Sequence, residues 1–358
     1  MRAHLSNVMN VPRMSSTGAL SDLFNSVIHV SFQNKQNGAQ RKGLALRRQA
    51  RLNDGLAAGG IPSTPSRIHA CFSFKRAFEP RDSGPMTFHI CTACGTQHAE
   101  REQPPARCVI CEEERQYIPP RGQTWTTLDS LRQSHTNTFR QYEQGIIGIG
   151  STPGFAIGQR ALLLRTQNGN ILWDCIATLD DATVTMVEGL GGIDAIAISH
   201  PHFYTTMIEW ARAFTARIHL HAADKQWIMR SDPAIELWDG ETKALWDGVT
   251  LVRCGGHFEG GAVLHWDGGA GGRGVVCAGD ILTVTTDRKW LSFMRSYPNF
   301  IPLSGRAVDR IGAALRPFAF ETIYGHYFDR VIAQNGKAVL EASVARYLAA
   351  IEGKRGYG

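Results

Sequence analysis

No apolar run in this 358-residue chain approaches the eighteen or so residues that a membrane-crossing helix needs, which excludes a spanning protein. A signal peptide with a clear apolar core is also missing, and the eight cysteines are clustered rather than spread as a disulfide framework would be. A reducing compartment is expected, the cytoplasm first and the mitochondrion as the alternative. Acidic residues are scarce in one place: residues 1–85 carry 4 Asp/Glu against 12 Lys/Arg, which leaves 26 basic and 28 acidic residues for the rest. The net charge of +6 therefore belongs to the first segment, and a nucleic-acid surface is not expected on the remainder. Residues 1–85 show no sustained apolar periodicity and read as a disordered basic tail. Their Arg-rich, acid-poor composition also fits an organellar transit peptide, beside the plainer reading of a dispensable tail or a functional start at Met86. What is present is ordinary for a globular α/β protein: 43% hydrophobic and 20% charged residues, with 37 glycines to serve tight loops.

Residues 86–118 form a cysteine module, residues 119–145 a connector with Pro119-Pro120, and residues 146–358 the main domain. Two branched apolar segments, 160–166 and 170–175, flank Asn168-Gly169 and predict an opening β-hairpin. Asp180 or Asp181 caps a helix that Gly191-Gly192 ends. Residues 193–199 read as a buried central strand, 203–214 as a helix and 217–221 as the next strand. Strands follow near 249–254, 262–266 and 274–279, then a helix at 305–315, a strand ending at Gly325-His326 and a last amphipathic helix at 337–351. Two mixed β/α halves predict two sheets sandwiched between helices.

Half the cysteines fall within twenty-one residues, in Cys91-Thr-Ala-Cys94-Gly and Cys108-Val-Ile-Cys111. Each C-x2-C turn brings two thiolates onto one ion, and Gly95 permits the turn that aims backbone amides at sulfur. Four thiolates complete a tetrahedron, so a structural zinc is expected, in the manner of a zinc ribbon or rubredoxin-type knuckle pair. The closed ligand set gives it a structural or docking role, including contact with a protein partner.

Histidines collect beyond strand ends. His200 and His202 stand i, i+2 around a proline, an arrangement that lets two imidazoles share one ion. His219 and His221 repeat that spacing inside a strand, where packing explains them. His257 lies in a glycine-rich loop, Asp280 follows an apolar strand in Ala-Gly-Asp, and His326 ends Ile-Tyr-Gly-His. Singly each is a loop residue; together, at successive strand ends, they form a metal-ligand set.

On those residues, 146–330 resemble the metallo-β-lactamase superfamily. The matching motifs are Trp173-Asp174 after the hairpin, Ser199-His-Pro-His202 for His-x-His-x-Asp-His, the Gly-Gly-His257 loop, Gly279-Asp280 and Gly325-His326. The resemblance implies a four-layer αββα sandwich and a metal-activated water. It also exposes a departure, because the family's Asp and His fall at Tyr204 and Thr205. His200, His202 and His257, with Asp280, can serve one zinc or iron, whereas the second position keeps only Asp280 and His326. The expected activity is therefore a low-rate hydrolysis of a small ester, thioester or lactone at a mononuclear site. In it Asp280 orients the water, and Tyr204 either donates to an oxyanion or simply packs. Only 22 and 45 residues separate His257 from Asp280 and Asp280 from His326, too few for the insertion of the superfamily's nucleic-acid-processing branch, so a small-molecule substrate is expected. A non-catalytic binding scaffold and a mononuclear iron oxygenase acting on persulfides are the alternatives.

Overall fold

A computed structural model describes residues 85–354, so the reading of the basic tail falls almost wholly outside the described residues. No helix among the described residues is long and apolar enough to cross a membrane.

The first sheet has seven strands: β1 (Thr136–Glu143), β2 (Ile146–Thr152), β3 (Ala161–Thr166), β4 (Gly169–Trp173), β5 (Ala195–Ala197), β6 (Arg217–His221) and β7 (Ile235–Trp238). They lie in sequence order, antiparallel from β1 to β4 and parallel from β4 to β7. The second sheet has six: β8 (Thr242–Trp246), β9 (Val249–Arg253), β10 (Ala262–Trp266), β11 (Val275–Gly279), β12 (Thr322–Gly325) and β13 (Val331–Ile332). Only its β11–β12 pair is parallel.

Alternation along the strands divides the apolar side chains into three layers. Leu163, Leu172, Ile196 and Ile218 face α1 (Asp181–Gly189) and α2 (Met207–Phe214), whose Val187, Met207 and Trp210 complete that core. Leu162, Leu164, Ile171 and Trp173 point the other way and meet Val249, Leu251, Leu264 and Cys277 of the second sheet. Val252, Val263, Val276 and Ile323 pack beneath α3 (Gly305–Leu315) and α4 (Gly336–Ile351) through Val308, Ile311, Leu315 and Leu340. Helix, sheet, sheet, helix is the αββα order expected of the chain.

Three local differences from the sequence reading have physical causes. The stretch 119–145 is more than a connector, since it supplies the helix Leu128–Ser134 and β1, which pairs along the whole of β2. In the opening hairpin Thr166 pairs with Gly169, so the two-residue turn is Gln167-Asn168 and Gly169 begins β4. Finally, the cysteine module packs on the main domain: Ile90 lies with Leu131 and Ala177, and the four cysteines lie against Ile157, Trp227 and Met229.

Candidate metal centres

Four segments deliver the main cluster. β5 runs out into Ser199-His200, and Pro201–Phe203 then forms one turn of 3-10 helix that carries His202. The loop between β9 and β10 carries His257, and Asp280 follows β11. Gly279 makes the last approach feasible: it sits at φ +55°, and a Cβ there would lie 2.4 Å from Ser199 Oγ. The strand ends thus bring one ligand atom each from His200, His202, His257 and Asp280 to within 4.8 Å of one another, all four buried.

The donor geometry fits a single cation. His200 Nε2 is 3.2 Å from Asp280 Oδ1, and His202 Nδ1 is 3.2 Å from His257 Nε2. Two nitrogens each about 2.0–2.1 Å from one tetrahedral ion stand about 3.3–3.4 Å apart. His200 Nδ1 meets Ser199 Oγ at 2.8 Å, and His257 Nδ1 meets the Met294 carbonyl at 3.2 Å. If Nδ1 donates in each pair, the Nε2 lone pairs are left to face the cluster. On the cluster side, His200 Nε2 and Asp280 Oδ1 are buried without a hydrogen-bond partner. Such orphans are costly in a bare protein and are what a bound cation satisfies. Burial pushes His200 and His202 well below the ordinary imidazole range and His257 to about 3, which keeps the rings neutral. The same desolvation raises Asp280 well above the usual carboxylate range, a shift that an adjacent cation would reverse. Behind the cluster Asp174, pushed up to about 7 by burial, accepts from the Ser199 backbone N–H at 2.8 Å.

The other site residues named from the sequence lie elsewhere. His326 is outside the four-residue group, and its Nδ1 is tied to the Gly279 carbonyl at 3.1 Å. Tyr204 is buried in the α-helical face of the first sheet with Phe203, Met207 and Ile208, which favours packing over oxyanion donation. Thr205, at φ +37°, gives its carbonyl to the Gln97 amide of the cysteine module, and its methyl lies beside Gly95. The module therefore packs directly against the turn that follows His202. His219 and His221 stay apart from the cluster. His219 lies beside Glu236, and His221 accepts from Ala223 N–H and lies 3.1 Å from the Gly240 carbonyl.

The second centre is the cysteine cluster. Its four sulfurs form one group, with Cys91 and Cys111 at 3.6 Å and Cys94 and Cys108 at 3.7 Å. Sulfurs each about 2.3 Å from one tetrahedral ion stand about 3.7–3.8 Å apart. Gly95, at φ +81°, returns its N–H to the Cys91 carbonyl, and Gln123 Nε2 donates to Cys91 Sγ at 3.0 Å. Sulfur contacts hold Cys108 low, chiefly through Cys111, and Cys111 high through Cys108, the signature of thiols too close for independent protonation.

One side chain that no sequence pattern singled out reaches between the two centres. Arg115, four residues after Cys111, donates from Nη1 to the His257 carbonyl at 3.2 Å and lies 4.0 Å over the Phe258 ring. Donor and acceptor are 142 positions apart in the chain, so only the fold reveals the contact.

The architecture is that of a metallo-β-lactamase fold, and among the described residues it carries two candidate metal-binding groups. In sequence the chain is 47% identical over 268 residues to the uncharacterized protein YmaE of Bacillus subtilis (strain 168), covering 74% of this chain and 97% of that protein. No family model matches. Among solved structures, the metallo-β-lactamase FIM-1 of Pseudomonas aeruginosa in its mono-zinc form is 16% identical at a TM-score of 0.45, covering 60% of this chain and 96% of that one. A metallo-β-lactamase of Cronobacter sakazakii is 19% identical at 0.40, covering 60% and 93%. The fold assignment rests on the sheets, layers and ligands themselves.

Proposed function

We propose that this chain, which belongs to the family of the Bacillus subtilis protein YmaE, is a hydrolase of a small ester, thioester or lactone that works with one zinc ion at His200, His202 and His257, with Asp280 beside it. The supporting observation is a single buried cluster of neutral imidazole and carboxylate donors with unpartnered atoms, beside second-ligand positions filled by Tyr204 and Thr205. Three imidazoles suit a catalytic zinc, which keeps its fourth position for water or substrate. An ion so held supplies Lewis acidity and acidifies water toward neutrality.

The chain's own groups do the rest. Ser199 and the Met294 carbonyl fix the orientation of the His200 and His257 rings. Asp280 is the only carboxylate in the group and takes the proton as water attacks the acyl carbon. The Phe258 ring, within 4.9–5.6 Å of the His200, His202 and His257 ring centres, gives the cluster an apolar wall. A second zinc at the four cysteines holds the module together.

Metal analysis of the purified full chain, paired with an ester, thioester and lactone panel, tests this. Two zinc per chain and measurable turnover are expected, with His257→Ala losing one equivalent and the turnover together. Three equivalents would refute the mononuclear site. One equivalent with no turnover would replace the enzyme by a binding scaffold.

A further inference from the structure

We infer that segment 113–116, which leaves the four-cysteine site, clamps the His257 loop and so makes occupancy of the four-cysteine site a determinant of metal affinity at the histidine site. This rests on the hydrolase reading of the histidine cluster and adds to it a coupling between the two centres.

The segment grips that loop at two levels. Arg115 is nearly buried, with 12% of its side chain exposed, and its Nε and its backbone N–H both donate to Glu113 Oε2 at 2.8 Å. So braced, its guanidinium bonds the His257 carbonyl and stacks on Phe258, the ring that touches all three ligand histidines. The acceptor of His257 Nδ1 is Met294, whose neighbour Arg295 pairs with Glu113 at 3.6 Å and with Glu114. Asn299 Nδ2 donates to the Glu114 and Gln116 carbonyls at 2.9 and 3.1 Å. The segment thus holds the backbone of one ligand directly and braces, through Arg295 and Asn299, the strand that carries its ring's acceptor.

What holds those residues is the sulfur centre. Cys111 and Glu112 return their N–H groups to the Cys108 carbonyl at 3.0 Å, so the segment leaves directly from the second knuckle. A metal at the four sulfurs would fix the knuckle from which the segment departs, and an empty centre would loosen that origin. Coupling of this kind is reciprocal: a filled histidine site also raises affinity at the cysteines.

Cobalt titration of the full chain tests the clamp without relying on activity. The thiolate-to-cobalt charge-transfer band reports the cysteine site, and the visible bands of a nitrogen and oxygen ligand set report the other. Arg115→Ala should weaken the histidine site about 10–100-fold, the usual cost of losing a group that orients a ligand, while the thiolate band saturates as before. Arg115→Lys should recover part of that loss. Arg295→Gln, on a half-exposed side chain, should weaken the site in the same direction and serves if the first variant does not fold. Arg230 ties the module to α2 through Gln97 and Glu209, away from His257, so Arg230→Ala should leave the histidine site unchanged. Unaltered titration in both Arg115→Ala and Arg295→Gln, or equal weakening in Arg230→Ala, would overturn the clamp and leave the hydrolase reading standing. Absence of the nitrogen-set bands in the parent protein would remove both.

Discussion

Asp224 shows how one buried carboxylate sets a pH dependence. It is 2% exposed and accepts from the Gly260 amide at 2.9 Å, and burial pushes it up to about 6. A folded value above the ordinary carboxylate one means that the native state favours the protonated form. Its stabilisation is therefore complete below about pH 4 and is lost as pH rises through about 6. Asp224→Asn keeps an acceptor for Gly260 and removes the cost of burying a charge. The variant should match its parent near pH 4 and exceed it by about 2–3 kcal/mol at pH 8. Urea unfolding at both values checks this, and an equal gap at the two would refute it. Single residues were unevenly legible. The ligands could be read because each lies just beyond a strand, where backbone direction already implies convergence. Arg115 could not, because its partner is fixed by docking of two distant segments.

Among the elements, α1 shows a signal read correctly and worth measuring. Asp180 accepts from the Thr183 amide at 2.7 Å and from Thr136 Oγ1 at 3.0 Å, so it caps the helix and ties it to β1. Asp180→Ala should cost about 1–2 kcal/mol in thermal or urea unfolding, the range for losing an N-cap. A loss below a few tenths would show that water replaces the cap. The buried strands and both large helices of the second half were visible in apolar periodicity, since a covered face must be continuously apolar. β1 was not, because an edge strand is never fully covered: its residues alternate only between exposed and half-buried, through Thr, Asn, Arg and Gln. β8 was missed although Asp247-Gly248 offers a hairpin turn, with Trp246 paired to Val249 across it. Asn168-Gly169 marked the right hairpin with the turn one residue late.

At the scale of the whole molecule, the module, the helix Leu128–Ser134 and β1 are parts of the main domain. A chain cut to residues 146–358 would expose β2 as a free edge, with Ile146 and Ile149 fully buried in the intact protein. Such an edge templates association. The fragment should aggregate in light scattering at concentrations where a chain starting at Met86 stays monodisperse; a monodisperse 146–358 fragment would contradict the architecture given for β1. The strand order carries one more consequence. Every neighbour in the first sheet is also the next strand along the chain, so on the ribosome each can pair as soon as it emerges. His200 and His202 leave the tunnel first, and His257 and Asp280 only after more than fifty further residues. A nascent chain thus carries a half-site of two imidazoles throughout that interval, and full ion capture waits for the second sheet. Synthesis itself therefore sets the order: the sulfur knuckles are complete while the histidine centre is still being translated.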